Sequence, residues 1–508
     1  MKLLLATIRT DEPDSRLAFK YLYGVLEKAP IDISVREFSA DELTSDIYES
    51  IVRGEYSMIY FHLDQANISR LTAVAEMVKK AQPTSIVVVS GIQVSFDTAG
   101  FMEEHPYVDY VVRGEPEHVM FNFLKTILTY EFDFEGVAGL AYREDDDVIV
   151  NPYDAPVQLE DLPFPYEKTG VESGDTVYYE SFRGAADRCK YAQFIPEFKI
   201  RSLSLNRVCT ELRYFLVKNV DKVVFTDKWF NYNLQRAYRI WEYILNNDNG
   251  RTSFVFDIDG DNLDDETIRL LGTARKGLFE FNIDIESTNA AVLAEAGRKE
   301  NIYQLMYNVT KLLNNKNMKI NVNLKAGMPC EDIQLFARSF NKAYGVGATS
   351  LRIAPLTLPV GCRFREEASK YGIQYSSMPP YRVISTSHMN ALELIRIKRV
   401  AAVADIYIGQ GGFATSIPRL LTDTGIKPFD LFDGLTSFIS ENGYDDRLGR
   451  IEDRYRILFA YATALYDEAG DTLKSQIMMD ILHAELEKCI GPEDIKKFEK
   501  KGWTIKLG

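Results

Sequence analysis

The stretch that decides the fold is TVYYESFRGAADRCKYAQF, Thr176 to Phe194. It opens as a strand, TVYYESF, and runs directly into a loop with a single cysteine, Cys189. Ala185 stands four residues before that cysteine and Ala192 three after it. A Cys-x-x-x-Cys-x-x-Cys triplet would set thiolates at those three positions. The loop therefore has the frame of a metal site in which Cys189 is the one ligand left, and Asp187 and Gln193 are poor replacements for the others.

Working outward, the strand in front of this loop is the first of six. KVVFTD, SFVFDID, FEFNIDIE, KINVNLKAG and SLRIAPL follow, with helical stretches between them. Leu205, Val208, Cys209, Leu212, Phe215 and Leu216 recur at helical spacing and make one apolar face, which gives Cys209 a place in the core. Strand–helix units in series predict an α/β fold, here a partial (β/α)6 TIM-type barrel over residues 171–360. Its functional end is the carboxyl end of the strands.

Residues 1–135 also alternate strand and helix, from KLLLA to VDYVVRG, which predicts a Rossmann-like, doubly wound parallel sheet. The strand-end loops SGIQVSFD, with Gly91, Gln93 and Ser95, and RGEPEH, with Gly114 and Glu115, then fall on the carboxyl edge, where such folds bind ligands. Turn formation alone also accounts for the two glycines. Residues 136–170 read as a hairpin and a proline-marked linker, and residues 361–508 as a helical C-terminal domain.

A net charge of −15 argues against nucleic acid as a partner. The five cysteines lie far apart, which suits a reducing, cytoplasmic setting without disulfides, and no apolar run reaches membrane-spanning length. The acidic pairs Asp257/Asp259 and Asp284/Glu286 stand at alternate positions near strand ends, so each pair is expected to share a face. They are candidates for ligand hydroxyl or ammonium groups, or else a solvated polar layer. Cys330 and Cys362 are expected to rim the barrel mouth.

With these segments in order, the chain resembles cobalamin-dependent radical S-adenosylmethionine enzymes. The likeness runs through LAFKYLYGVL, VVSGIQVSFD and HPYVDYVVRGEPE, then YYESFRGAADRCKYAQF, FNIDIESTN, NLKAGMPCED and APLTLPVGCRFREEASKYG, and ends in MPPYRVISTSHMNALELIRIKRV. The resemblance implies a cobalamin-binding domain, a radical SAM-like barrel and a helical domain of unknown function. It implies cobalamin and S-adenosylmethionine as cofactors, and it places Gly91, Gln93, Ser95, Gly114, Glu115, Tyr191, Asp257, Asp284 and Glu286 around them. In that family three cysteines hold a [4Fe–4S] cluster with one open iron. Here Cys189 matches the middle ligand, Tyr191 the aromatic residue before the last one, and Ala185 and Ala192 the other two ligands. The cluster is accordingly expected to be absent. The Asp-x-His-x-x-Gly cobalt-ligand motif is missing too, although His62 stands at a strand end near the expected corrin face.

Three readings follow. The chain is a cobalamin- and S-adenosylmethionine-dependent transferase of methyl or related groups that works without a radical cluster, on a small-molecule or peptide substrate. Or it is a non-catalytic member that partners an active paralogue. Or it is a Cys-to-Ala variant of an ordinary cobalamin-dependent radical methyltransferase.

Overall fold

The computed structural model describes residues 1–10, 13–145, 147–184, 189–195, 198–468 and 470–503. Ala185 and Asp187, on which part of the cysteine-loop reading rests, lie outside the described residues.

The first sheet contains β1 (Lys2–Ile8), β2 (Asp32–Phe38), β3 (Met58–His62), β4 (Ile86–Ser90), β5 (Tyr110–Val112), β6 (Leu140–Glu144) and β7 (Asp147–Val150), in the order 2-1-3-4-5-6-7. The first five strands pair in parallel and the last two are antiparallel. Strands β1, β3 and β4 are nearly continuous apolar runs because helices cover both faces of the sheet. The chain order reverses between β1 and β3, and the crevice beyond their carboxyl ends is the natural ligand site of such a sheet. The hairpin expected in the connecting segment, β6–β7, pairs onto β5 and extends this sheet.

The second sheet is a parallel ribbon of six strands. In chain order these are β8 (Thr176–Tyr179), β11 (Lys222–Phe225), β12 (Ser253–Ile258), β13 (Phe279–Glu286), β14 (Lys319–Ala326) and β15 (Ser350–Pro355), each pairing with the next. Between β8 and β11 comes a two-residue antiparallel pair, β9 (Phe182–Arg183) with β10 (Arg201–Ser202), which brackets the cysteine loop. In β13 burial alternates strictly from Phe279 to Ile285: Phe279, Phe281, Ile283 and Ile285 pack outward on the helices while Glu280, Asn282 and Asp284 face the lumen. On the outer side Trp241 is fully buried, with its ring 5.5–6.0 Å from Phe230, Phe281 and Phe256. Of the predicted apolar face on helix Leu205–Lys218, Val208, Leu212, Phe215 and Leu216 are buried, whereas Leu205 is exposed and Cys209 half-buried at its rim.

The C-terminal region is helical after a short pairing of Gln374–Tyr375 with Val383–Ser385. Phe429 and Phe432, on helix Pro428–Glu441, pack edge-on against Phe336 and Phe340 of barrel helix Ile333–Gly345. One apolar core thus runs from the barrel into the helical domain, and it reaches Leu17 and Tyr21 of the first domain.

Candidate functional site

Two ligand-facing regions meet near the cysteine loop. The first is a cleft of about 340 Å³ between the carboxyl edge of the first sheet and the barrel, with His62, Gly91, Glu117, Phe182, Arg183 and Ile195 among its walls. His62 Nδ1 lies 3.1 Å from Ser90 Oγ, which also meets the Tyr60 hydroxyl. Burial pulls the His62 pKa down to about 4, so its ring is neutral at physiological pH. Gly91 sits at φ 121°, and a Cβ there would come 2.0 Å from the Leu63 carbonyl oxygen. Ser95 ties the two loops together: its hydroxyl donates to Gly91 O at 3.0 Å and accepts from Gly114 N at 3.0 Å. Gly114, at φ 72°, is covered by the Phe198 ring. Gln93 donates through Nε2 to Gln193 Oε1 of the cysteine loop at 3.0 Å, and its own buried Oε1 accepts nothing.

Glu115 is committed elsewhere. It accepts from both terminal nitrogens of Arg201, at 2.8 and 2.5 Å, and from Val157 N at 2.7 Å. Beside it Arg183 pairs with Glu117 at 2.8 Å and Glu180 at 2.6 Å, and its guanidinium lies 5.3 Å from the Tyr21 ring centroid. These five charges lock the barrel to the first domain. Glu117 is 1% exposed, its pKa is raised by burial against the pull of Arg183, and its Oε2 has no hydrogen-bond partner. Asp227, at the carboxyl end of β11, accepts from Ser181 N and Phe182 N and so pins the start of β9; burial pushes its pKa up to about 8.

At the cysteine loop Cys189 is buried and Ala192 exposed. Burial raises the Cys189 thiol pKa, and the nearby Glu286 carboxylate adds to the rise. Around it stand charged groups. Arg298 reaches Glu286 at 3.6 Å and Glu300 at 2.5 Å, while Lys325 lies 3.9 Å from Glu286 and 4.5 Å from the Tyr191 ring centroid. Asp284 and Glu286, expected to share a face, line one cavity, but not by simple alternation. A bulge separates them, Glu286 takes φ 59°, and its side chain turns into the buried cluster with Oε2 unpartnered. A non-glycine residue held at that φ is strained by about 1–3 kcal/mol and persists because its surroundings demand it. Protein contacts hold the loop: Lys190 N donates to Ala296 O, Phe364 N donates to Lys190 O, and Lys190 Nζ reaches Glu367 at 3.0 Å. No three His, Cys, Asp or Glu side chains among the described residues are grouped to hold a metal ion. Cys362 is fully buried in an apolar cluster and Cys330 is half-buried at φ 64°. A donor set with one thiolate does not fit a four-iron cluster.

The second region is the barrel lumen. Lys228 Nζ contacts Asp257 at 2.6 Å, Asn282 donates to Asp257 at 2.8 Å, Asn321 to Asn282 at 3.0 Å, and the Ser350 hydroxyl to Asn321 at 2.7 Å. This polar ladder crosses four strands. One level up Asn323 donates to Asp284 at 2.8 Å. Asp259, expected to share a face with Asp257, is buried, and its backbone N–H donates to Asn231 Oδ1. A cavity of about 590 Å³ opens at this upper level, with Asp284, Glu286, Lys325 and Arg352 from the strands and Asp405 from the helical domain. Sequence reasoning missed Asn282, Asn321, Asn323 and Arg352. For the three asparagines the signal was the strict alternation of polar with apolar residues in FNIDIE and INVNLK, since the inner side of a packed barrel is apolar.

Residues 1–124 match the B12-binding domain model, and residues 369–503 match a domain described as a protein of unknown function, DUF4080. An uncharacterized methyltransferase, PH0819 of Pyrococcus horikoshii, is 26% identical over 262 residues, 47% of this chain and 56% of that protein. The cobalamin-dependent radical SAM methyltransferase TokK of Streptomyces tokunonensis is 28% identical over 177 residues, 32% of this chain and 26% of TokK. The chain thus spans about half or less of the curated relatives it matches. Among solved structures, the cobalamin-dependent S-adenosylmethionine radical enzyme OxsB superposes with a TM-score of 0.61 at 14% identity, covering 98% of this chain and 84% of OxsB. The chain carries a B12-binding domain and has the fold of the cobalamin-dependent radical SAM methyltransferase-like enzymes.

Proposed function

We propose that this protein binds cobalamin in the cleft between the first sheet and the barrel, and transfers a methyl group from S-adenosylmethionine without a cluster-derived radical. The observation that carries the reading is the pair of buried acceptors left open beside the cleft, Glu117 Oε2 and Gln93 Oε1. A corrin is rimmed with carboxamides, whose N–H groups are the donors these oxygens lack. Gly91, where a Cβ cannot fit, leaves the strand end bare, and neutral His62 adds no charge against the ring. Cobalamin, when bound, supplies a cobalt nucleophile that can accept a methyl group from a sulfonium and pass it on. The chain's own residues do the rest. Arg183 and its three carboxylates hold the two domains at fixed separation, Phe182 and Ile195 exclude water, and the polar lumen orients the methyl donor. The thioether of S-adenosylhomocysteine leaves, and the acceptor loses a proton.

Cys189 alone does not fit the cluster. A non-catalytic scaffold would have an apolar, filled lumen, whereas charged Glu286, Arg298 and Lys325 surround Cys189. The test is anaerobic titration with hydroxocobalamin, reduction of the bound cobalt to Co(I) with titanium(III) citrate, and then addition of S-adenosylmethionine. About one equivalent of cobalamin should survive desalting, and S-adenosylhomocysteine should appear without 5′-deoxyadenosine. Cobalamin washing off, or 5′-deoxyadenosine accumulating, would overturn the reading.

A further inference from the structure

Helix Ala391–Ala404 packs along β15 and carries apolar residues on two faces. Its inner face, Ile397, Val400, Val403 and Ala404, is buried, and Arg396 pins it to Asp433 of helix Pro428–Glu441 at 2.5 Å. On the other side Leu392, Ile395, Arg399 and Ala402 follow one another at helical spacing. All four are exposed, Leu392 by 77% and Ile395 by 53%. Strand Val383–Ser385 lies beside the helix: a Cβ on Gly327 would come 3.4 Å from Leu394 and 3.5 Å from Val383. Val383 points inward there, and its chain neighbours Arg382 and Ile384 are exposed. One buried face is enough to hold a helix in place, and the second leaves an apolar patch open to solvent.

Charge indicates what covers that patch. The chain carries −15, yet residues 376–402 hold four basic side chains against one acidic. The acidic one, Glu393, is engaged in a capping box with Asn390. Arg382, Lys398 and Arg399 are exposed and have no ion pair among the described residues. Aliphatic side chains interleaved with Lys and Arg are the composition of faces that lie in a bilayer interface. The apolar tips enter the acyl boundary and the cations meet anionic headgroups. The core of a protein–protein interface is instead rich in aromatic residues and poor in lysine. A second copy fits no better, because a two-fold contact on this face would bring the same cations together.

We propose that the outer face of helix Ala391–Ala404, with Ile384 of the neighbouring strand, docks on an anionic lipid surface. The helix lies on the bilayer, and no helix among the described residues is long and apolar enough to cross one. The outer face ends on Ala402, which lines the 590 Å³ cavity, so the docked face borders the barrel lumen. Docking needs neither cobalamin nor the methyl donor, and its failure would leave the reading of the cleft untouched.

Flotation of the full chain with phosphatidylcholine vesicles, with and without an equal share of phosphatidylglycerol, tests the proposal. The chain should float with the anionic vesicles and leave them as salt is raised. Leu392→Glu with Ile395→Glu should lower the bound fraction by about tenfold or more. Lys398→Ser with Arg399→Ser should lower binding on anionic vesicles to the level on neutral ones. All four positions are exposed, so both variants should keep the wild-type thermal midpoint. No flotation of the wild type, or flotation unchanged in both variants, overturns the proposal. A wild-type dimer in light scattering that Leu392→Glu with Ile395→Glu splits, with no chain on the vesicles, also overturns it and makes a second copy the cover.

Discussion

In the interdomain cleft five charged side chains, Glu115, Glu117, Glu180, Arg183 and Arg201, close on one another at 2.5–2.8 Å. In the barrel lumen Arg352, Lys325, Asp284 and Asp405 line one cavity, and Arg352 and Asp405 have no ion pair among the described residues. The cleft spends its charges on holding two domains together and offers a neutral ring and a few open acceptors. The lumen engages Asp284 with Asn323 and Lys325 with Glu286, and leaves Arg352 and Asp405 without an ion pair among the described residues. Both regions carry several ionisable groups, so the number of charges does not distinguish a structural network from a binding site. What distinguishes them is whether each group already has a partner.

The largest expected effect comes from breaking the closed network. Arg183→Met leaves Glu117 and Glu180 buried without their cation and should cost about 3–5 kcal/mol in urea denaturation. An unchanged midpoint would mean that the cleft charges are not coupled. Glu331 sharpens the point, because it is fully buried with a Ser287 hydrogen bond and no ion pair among the described residues, and burial pushes its pKa up to about 8 from 4.5. A carboxyl whose folded pKa is raised favours folding below its unfolded pKa and loses that contribution as pH rises through the folded value. Stability should therefore decline between pH 4.5 and 8, with a limiting slope of about 1.4 kcal/mol per unit from this group. Glu331→Gln should flatten that slope; an identical slope would assign the titration elsewhere.

Within the lumen, Asn321→Leu cuts the polar ladder and strips partners from Ser350 and Asn282. Its expected cost is about 1–3 kcal/mol, read from the thermal midpoint. The smallest effect belongs to the open charges. Arg352→Ala and Asp405→Asn should change stability by less than about 0.5 kcal/mol, because neither side chain is engaged in the fold. A larger loss would make them structural and erase the contrast with the cleft.

Much of the fold was legible because period and order are local properties. KLLLA, MIYFH and IVVVS are apolar on both sides since helices cover both faces, whereas the barrel strand FEFNIDIE alternates apolar with lumen-facing polar residues. The binding edges were legible in part. Gly91 stands where backbone conformation and the Leu63 carbonyl exclude a side chain. Glu115 looked like a ligand residue and became a clamp, because its partner Arg201 lies 86 residues away on another domain and no local spacing reveals it. Asp284 and Glu286 do line one cavity, but a bulge between them buries Glu286 more deeply, and bulges leave no periodic trace. Asp405 was out of reach for the same reason as Arg201: only the packing of a distant helix against β15 brings it to the lumen.

The most direct measurement is metal content per chain after anaerobic reconstitution with iron, sulfide and hydroxocobalamin. Bound cobalt at about one per chain, with iron at background, is the result that one thiolate and an intact cleft require. Close to four irons per chain would contradict it, since the cluster would then have found ligands other than the alanines at positions 185 and 192.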